Sequence, residues 1–322
     1  MQRGDTVADD TIGGPASGTT GAPEGSANHM TRILIRHETR YEYDFPVAFG
    51  PHRLMVRPRD SHAVRIIEAK LTLSQKGQTR WVYDALGNCV CYWTPESEAP
   101  HLSIVSNLII ERFPAPLSPM ERHNPHTATP IVYGPEDRHV LAPMIEPVTS
   151  GDDGPLMDWL RKHLGSPDEP ALDFLLRFNK AIYDEFTYTE RYDEGVQSPN
   201  DTVSFMSGAC RDFAWLMVES LRRMGFAARF VTGYLHSPMN SGVRGAGATH
   251  AWAEVFLPDM GWMEFDPTNG IAESRDLIPV AATRTPEQAA PVRGTIIGNP
   301  GGRSMHVSVD VRADTGPTAQ AA

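Results

Sequence analysis

Two hydrophobic periods divide this chain, and they restrict its fold more than any other feature. From Thr31 onward the period is two. Ile33, Ile35, His37, Thr39, Tyr41 and Tyr43 alternate with Leu34, Arg36, Glu38, Arg40 and Glu42, which marks a strand with one face buried. Ile67, Ala69, Leu71 and Leu73 repeat the pattern, and Trp81 and Tyr83 lead into the turn-rich stretch Asp84–Asn88. Cys89, Cys91 and Trp93 line one side of a returning strand, and Leu102, Ile104, Leu108 and Ile110 belong to another. Several strands with turn signals between them predict an antiparallel sandwich of about 85 residues. Farther on the period changes. Phe213, Leu216, Met217, Leu221 and Met224 fall at helical spacing, and Gly225 stops the run as a C′ glycine does. The expected class is α+β.

The rest of the chain fits around these two blocks. Residues 1–29 are Gly, Ala, Thr, Ser and Pro with scattered acids, and such a composition predicts a disordered tail. The sandwich is placed at 30–115, a proline-rich linker at 116–150, and a second domain at 151–275. A C-terminal extension covers 276–322, with one strand near 304–313 and a disordered end. Inside the second domain, Leu156, Trp159, Leu160 and Leu164 keep helical spacing up to Gly165. Phe174, Leu175, Phe178, Ala181 and Ile182 make a second stripe, with Asp168 as its expected N-cap. Thr187 to Val203 reads as polar and irregular. Ala228–Tyr234, Ala248–Leu257 and Gly261–Asp266 read as strands, and the loop His236–Gly247 reads as a flap over a site.

Composition excludes several classes. A formal net charge of −11 over 322 residues argues against nucleic acid as the main partner, which requires a basic face. No run approaches the ~20 apolar residues of a membrane span. No basic region followed by an apolar core marks a secretory signal. Three cysteines cannot all pair, and a bridge between Cys89 and Cys91, on one face of one strand, would be strained. These features lead to the expectation of a reduced, cytoplasmic protein. Cys89 and Cys91 supply only half the ligands of a structural zinc site, and no second cysteine pair completes it.

The chemistry points to Cys210. It opens the helical run after Ser207-Gly-Ala, where unpaired backbone N–H groups and the helix dipole favour an anion such as a thiolate. Gly208 is expected to turn the loop and make room for a substrate backbone. Cysteine nucleophiles need an imidazole within reach and a group that orients it. His250 starts one strand and Asp266 ends the next. A hairpin closed near residues 258–261 brings the two close to facing one another. Arg211 is expected on the helix's solvent face, and Asp212 as a cap of its N–H groups.

Gly208-x-Cys210-Arg-Asp-Phe-Ala214, Arg229-Phe-Val-Thr-Gly-Tyr-Leu235, His250-Ala-Trp-Ala-Glu254 and Gly261-Trp-Met-Glu-Phe-Asp-Pro-Thr268 occur in this order. As a set they resemble the bacterial transglutaminase-like superfamily, the papain-like group of cysteine proteases and acyl transferases. The resemblance covers residues 155–270. Residues 31–113 are similar to the N-terminal β domain that often precedes this module. The resemblance implies a papain-like transglutaminase core in which a helix bearing the cysteine packs on an antiparallel sheet bearing the histidine and the aspartate. It implies Cys210 as nucleophile, His250 as general base and then acid, and Asp266 as the orienting carboxylate. It also implies an oxyanion hole using the Cys210 backbone N–H, with the second donor left open, and no metal or cofactor.

Three functions stay in play. The first is cleavage or transfer of an acyl group at an amide, on a peptide or protein substrate, through a thioester on Cys210. Water as acceptor makes the protein a peptidase or amidase; a lysine amine makes it a protein-glutamine gamma-glutamyltransferase. The second is a binding or scaffold module that kept the fold and lost the chemistry. The third is a zinc hydrolase using Cys210, His236 and His250, which no repeated ligand spacing supports.

Overall fold

The alternating residues form the strands β1 (Thr31–Phe49), β2 (His52–Leu54), β3 (Val64–Leu73), β4 (Gly77–Tyr83), β5 (Cys89–Pro95) and β6 (Ala99–Arg112). The middle of the chain adds α1 (Pro135–Ile145), α2 (Pro155–His163), α3 (Ala171–Glu185), β7 (Thr187–Tyr188), α4 (Pro199–Phe205), β8 (Ser207–Gly208) and α5 (Cys210–Arg223). Then follow β9 (Ala228–Leu235), β10 (His250–Leu257), β11 (Gly261–Asp266), β12 (Ile271–Ala272), β13 (Leu277–Thr283), β14 (Val292–Arg293), β15 (Ile296–Ile297) and β16 (Arg303–Ala313). This is a computed structural model, and it describes residues 30–113, 128–149, 154–191, 193–236, 243–245, 247–258, 260–274 and 276–314. The tail expected at 1–29, the chain beyond 314, the first part of the linker and the middle of the 236–247 loop lie outside the described residues.

The fold is α+β with mostly antiparallel sheets. In the sandwich, one sheet has the order β15-β1-β6-β3, with β16 also on β1, and the other has the order β14-β2-β5-β4. Their facing sides bury Phe49, Leu54, Cys91, Trp93, Leu102 and Ile104. Cys89 and Cys91 are free, buried thiols. Burial pushes Cys91 up to about 11 and raises Cys89 as well, because a thiolate is poorly solvated there.

The second half is built on the sheet β12-β11-β10-β9-β13, with α5 packed on β9 and β10. Phe213, Leu216, Met217 and Leu221 are fully buried, as their helical spacing requires. Gly225 takes a φ of +84° just beyond the helix, and the Phe226 N–H reaches back to the Leu221 carbonyl at 2.9 Å, closing the C-terminus. Gly233 on β9 is required by close approach. A Cβ there would meet the Ile278 carbonyl oxygen of β13 and, at 2.6 Å, the Trp252 ring. Strand β13 follows residue 275, where the second domain was expected to end, yet it pairs with β9.

Several local expectations change. Residues 135–145, inside the expected linker, form helix α1. Its apolar stripe is only Leu141 and Met144, and Pro143 sits in its last turn, so periodicity does not reveal it. Tertiary contacts hold it: Arg222 donates to the Met144 carbonyl at 3.1 Å and Arg284 to the Pro143 carbonyl at 2.8 Å. These are carbonyls a helix end leaves without partners. Thr187–Val203 is not irregular throughout, because β7 and most of α4 lie in it. Asp168 does not cap α3; the position before that helix is Pro170, and Asp168 sits in a turn at φ +64°.

The two halves share a core. Ile33, Ile35, Met55 and Val64 of the sandwich pack with Tyr234, Ile278 and Val280 of the second sheet. The Tyr234 hydroxyl donates to the Val56 carbonyl at 2.9 Å and lies 3.1 Å from His37 Nδ1. Burial lowers His37 to about 4, so this interface histidine is neutral at pH 7. Among the described residues no helix is long and apolar enough to cross a membrane.

Candidate active site

Cys210 is the first residue of α5, so its backbone N–H has no partner inside the helix. The segment before it is held by two short strands. β7 and β8 pair in parallel, Thr187 with Ser207 and Tyr188 with Gly208, and the Thr189 N–H continues the ladder to the Gly208 carbonyl at 2.9 Å. Cys210 itself is half-buried, the position a nucleophile needs to meet a substrate.

His250 opens β10 opposite Gly233 of β9. The pairing of Ala253 with Phe265, extended by one residue, places Trp252 rather than His250 across from Asp266. His250 is therefore the diagonal neighbour of Asp266 on the same face of the sheet, still within reach of a long side chain. The contact is direct: His250 Nε2 and Asp266 Oδ2 are 2.8 Å apart, and both side chains are fully buried. Asp266 is held from two more directions. The Thr268 N–H donates to Oδ1 at 2.9 Å and the Asn269 amide to Oδ2 at 2.8 Å.

The other ring nitrogen, Nδ1, is buried without a partner of full hydrogen-bond geometry, and Cys210 is the group whose hydrogen bond and charge act on this ring besides Asp266. Catalytic contacts of this kind are often long before substrate binds. Burial alone would lower the proton affinity of the imidazole. The charge and hydrogen bond of Asp266, then those of Cys210, outweigh it and raise His250 to about 10. The ring is therefore an imidazolium at neutral pH. Gly245 lies over it: at φ +83°, a Cβ there would sit 2.9 Å from His250 Nδ1. Only glycine fits that approach and that backbone conformation.

The structure thus brings together His250 and Asp266 at bonding distance, and the His250 ring also feels the hydrogen bond and charge of Cys210. His236 is not with them; its Nδ1 lies 3.2 Å from Asp276 Oδ1, and no group of three metal-binding side chains assembles among the described residues. Asp212 does cap, as expected, by accepting the Ala209 N–H at 2.8 Å. It also accepts the Gln197 N–H at 2.8 Å and both bonds from Arg191 at 2.7 Å. Arg211 is not simply on a solvent face. Its guanidinium donates to the carbonyls of Arg191, Asp193 and Gly195. Gly208 also has a packing reason to be glycine, since a Cβ there would come 2.8 Å from the Asp212 Cβ. Arg191, Gln197 and Asn269 escape sequence reasoning because their partners are backbone groups and side chains brought close only by folding. An acid at the third position of α5 is the one local signal available.

Comparison with known proteins agrees with this geometry. Residues 159–267 match the family model of the transglutaminase-like superfamily, and residues 33–111 match that of the bacterial transglutaminase-like N-terminal region. The uncharacterized protein Rv2569c of Mycobacterium tuberculosis is 28% identical over 94% of this chain and 96% of its own length. A protein-glutamine gamma-glutamyltransferase of Pseudomonas aeruginosa is 33% identical over 37% of this chain and 18% of its own length. A crystallised protein of Cytophaga hutchinsonii, assigned there to the cysteine proteases, superposes with a TM-score of 0.68 at 18% identity, covering 90% of this chain and 93% of that one; this likeness shows the shared fold. With both of its halves matched in order, the chain belongs to the transglutaminase-like superfamily, its core preceded by the bacterial transglutaminase-like N-terminal region.

Proposed function

We propose that the protein is a cysteine-dependent amidase or peptidase that acts on peptide or protein amides through a thioester on Cys210. The observation that carries this reading is the buried His250–Asp266 pair at 2.8 Å, whose imidazole also feels the hydrogen bond and charge of Cys210. The Cys210 thiolate adds to the amide carbonyl. The developing oxyanion meets the free N–H at the start of α5. The His250 imidazolium gives its proton to the departing amine as the C–N bond breaks, leaving the thioester and a neutral ring. Water then adds to the thioester, His250 takes its proton, and the thiolate leaves with the carboxylic acid product. Asp266 holds the ring in one orientation throughout and stabilises its charged form.

A second reading places a primary amine where water enters, which makes the protein a protein-glutamine gamma-glutamyltransferase. The 33% identity to such an enzyme over part of the core favours it. One experiment separates the two. The protein is incubated with a glutamine peptide and a labelled primary amine, and amine incorporation, free ammonia and cut peptide are measured together. Cleavage or ammonia without incorporation supports hydrolysis, and dominant incorporation supports transfer. Turnover that survives Cys210→Ala would overturn both.

A further inference from the structure

Asp266 Oδ2 is shared. It accepts from His250 Nε2 and from Asn269 Nδ2, each at 2.8 Å. The same Asn269 side chain also grips the backbone of Arg244: its Oδ1 accepts the Arg244 N–H at 2.9 Å, and its Nδ2 reaches the Arg244 carbonyl at 3.3 Å. Arg244 adjoins Gly245, which roofs His250 Nδ1. One amide thus joins the triad carboxylate on one side of the ring to the segment lying over the other side. Its orientation is fixed, because the groups facing Nδ2 are acceptors and the group facing Oδ1 is a donor, so a flipped amide would leave three contacts unfavourable.

We propose that Asn269 is a positioning residue for the reaction: its amide holds Asp266 Oδ2 against His250 and ties the Arg244–Gly245 backbone to the same carboxylate. This inference rests on the reading of Cys210, His250 and Asp266 given above. The charged groups around Asn269 are Asp266 and His250 on the sheet and Arg244 on the loop. The Arg244 guanidinium lies over the Tyr183 ring, 4.5 Å from its centroid, and its Nη1 reaches the Thr268 carbonyl at 3.5 Å.

The isosteric variant Asn269→Asp isolates the role of the donated hydrogen bond. An aspartate there keeps an acceptor for the Arg244 N–H. Beside Asp266, two carboxylates sharing one place hold a proton between them to unusually high pH. While that proton is present it replaces the amide donor to Oδ2. Once it is lost, two like charges face each other and Asp266 is driven off His250.

The test follows the rate of Cys210 modification by chloroacetamide, a small neutral alkylator, from pH 5 to pH 9. It compares the wild type, Asn269→Asp and Asn269→Ala, with thermal melts to show that each variant is folded. The Asn269→Asp variant is expected within about threefold of wild type at the acid end and at least tenfold slower at the alkaline end. That ionisation is absent from wild type and from Asn269→Ala, which is slowed at every pH. An Asn269→Asp profile that superposes on wild type overturns the proposal, because Asn269 then only anchors the loop. A wild-type Cys210 that reacts no faster than Cys89 and Cys91 overturns instead the reading of the site on which the proposal rests.

Discussion

Arg191 grips both oxygens of Asp212 at 2.7 Å each, and Asp212 stands two residues beyond Cys210 on the same helix. The carboxylate is fully buried, while the Arg191 side chain keeps 17% of its surface exposed. The pair fastens the segment before α4 to the first turn of α5, and so fixes where the cysteine points.

Removing one member of such a pair leaves a buried charge uncompensated. Arg191→Ala is expected to destabilise the fold by about 3 kcal/mol, read from urea unfolding. Both contacts come from one nitrogen, Nη1, so Arg191→Lys should recover part of this loss, to the extent that its shorter stem brings the ammonium to the same place. An Arg191→Ala variant as stable as wild type would show that the clamp has no part in holding the helix start.

The three thiols should differ sharply towards iodoacetamide. Cys210 is half-buried, whereas burial drives Cys91 to about 11 and raises Cys89. At pH 7, modification of Cys210 is expected to be on the order of 10²-fold faster than that of Cys91, since the thiolate is the reacting form. Peptide mapping after timed labelling gives the three rates directly.

The proton on His250 gives a pH signature whose sign is set. Its folded value, about 10, lies above the ordinary 6.5. Proton binding therefore adds stability that is fully present below pH 6.5 and disappears as the pH rises through about 10. Melting temperature should fall across that window. Asp266→Asn removes the largest contribution raising the ring's proton affinity, so its fall should begin at lower pH. Turnover by Asp266→Asn is expected to drop on the order of 10³–10⁴-fold, the loss seen when an orienting carboxylate becomes an amide. Steady-state kinetics across the same pH range checks both.

Glu264 is shifted in the same direction, but here burial of the charged form is a cost rather than a gain. Burial, then the charge of Glu254, raise its carboxyl well above 4.5; Arg112 opposes them, and Glu273 adds to the rise. Glu254 faces it directly across the β10–β11 ladder, and Arg112 reaches it from the sandwich at 3.7 Å. The folded protein keeps a proton that the unfolded chain releases, so this residue costs stability as the pH climbs above 4.5. Glu264→Gln should match wild type near pH 4.5 and melt higher at pH 8. Lower melting of the variant at pH 8 would mean that the Arg112 pair outweighs the burial of the charge.

The sequence displays the strands of the sandwich, the Cys210 helix and the hairpin carrying His250 and Asp266 because each has a period of its own. Helix α1 shows no such stripe; Arg222 in the last turn of α5 and Arg284 just after β13 complete its end. The proximity of His250 and Asp266 is legible in the hairpin, but its exact pairing, Ala253 with Phe265, is not, since the hydrophobic pattern and the turn type together set register. Arg191, Gln197 and Asn269 could not be read at all. Arg191 and Gln197 bond to a group 21 and 15 positions away, and Asn269 ties Asp266 to Arg244, 25 positions away; no spacing rule covers such distances.

Strand β16 lies along β1 from Ile33↔Ala313 to Tyr43↔Arg303, while β14 and β15 complete the sandwich beside β2 and β1. Topologically, the transglutaminase-like half is an insert within a domain that the chain leaves after β6 and re-enters at β14. Excising residues 155–270 as a separate piece would therefore sever the host domain as well as the interface. Cutting before residue 303 would strip one flank of β1 over eleven residue pairs, leaving a long bare edge of the kind that recruits other chains into aggregates.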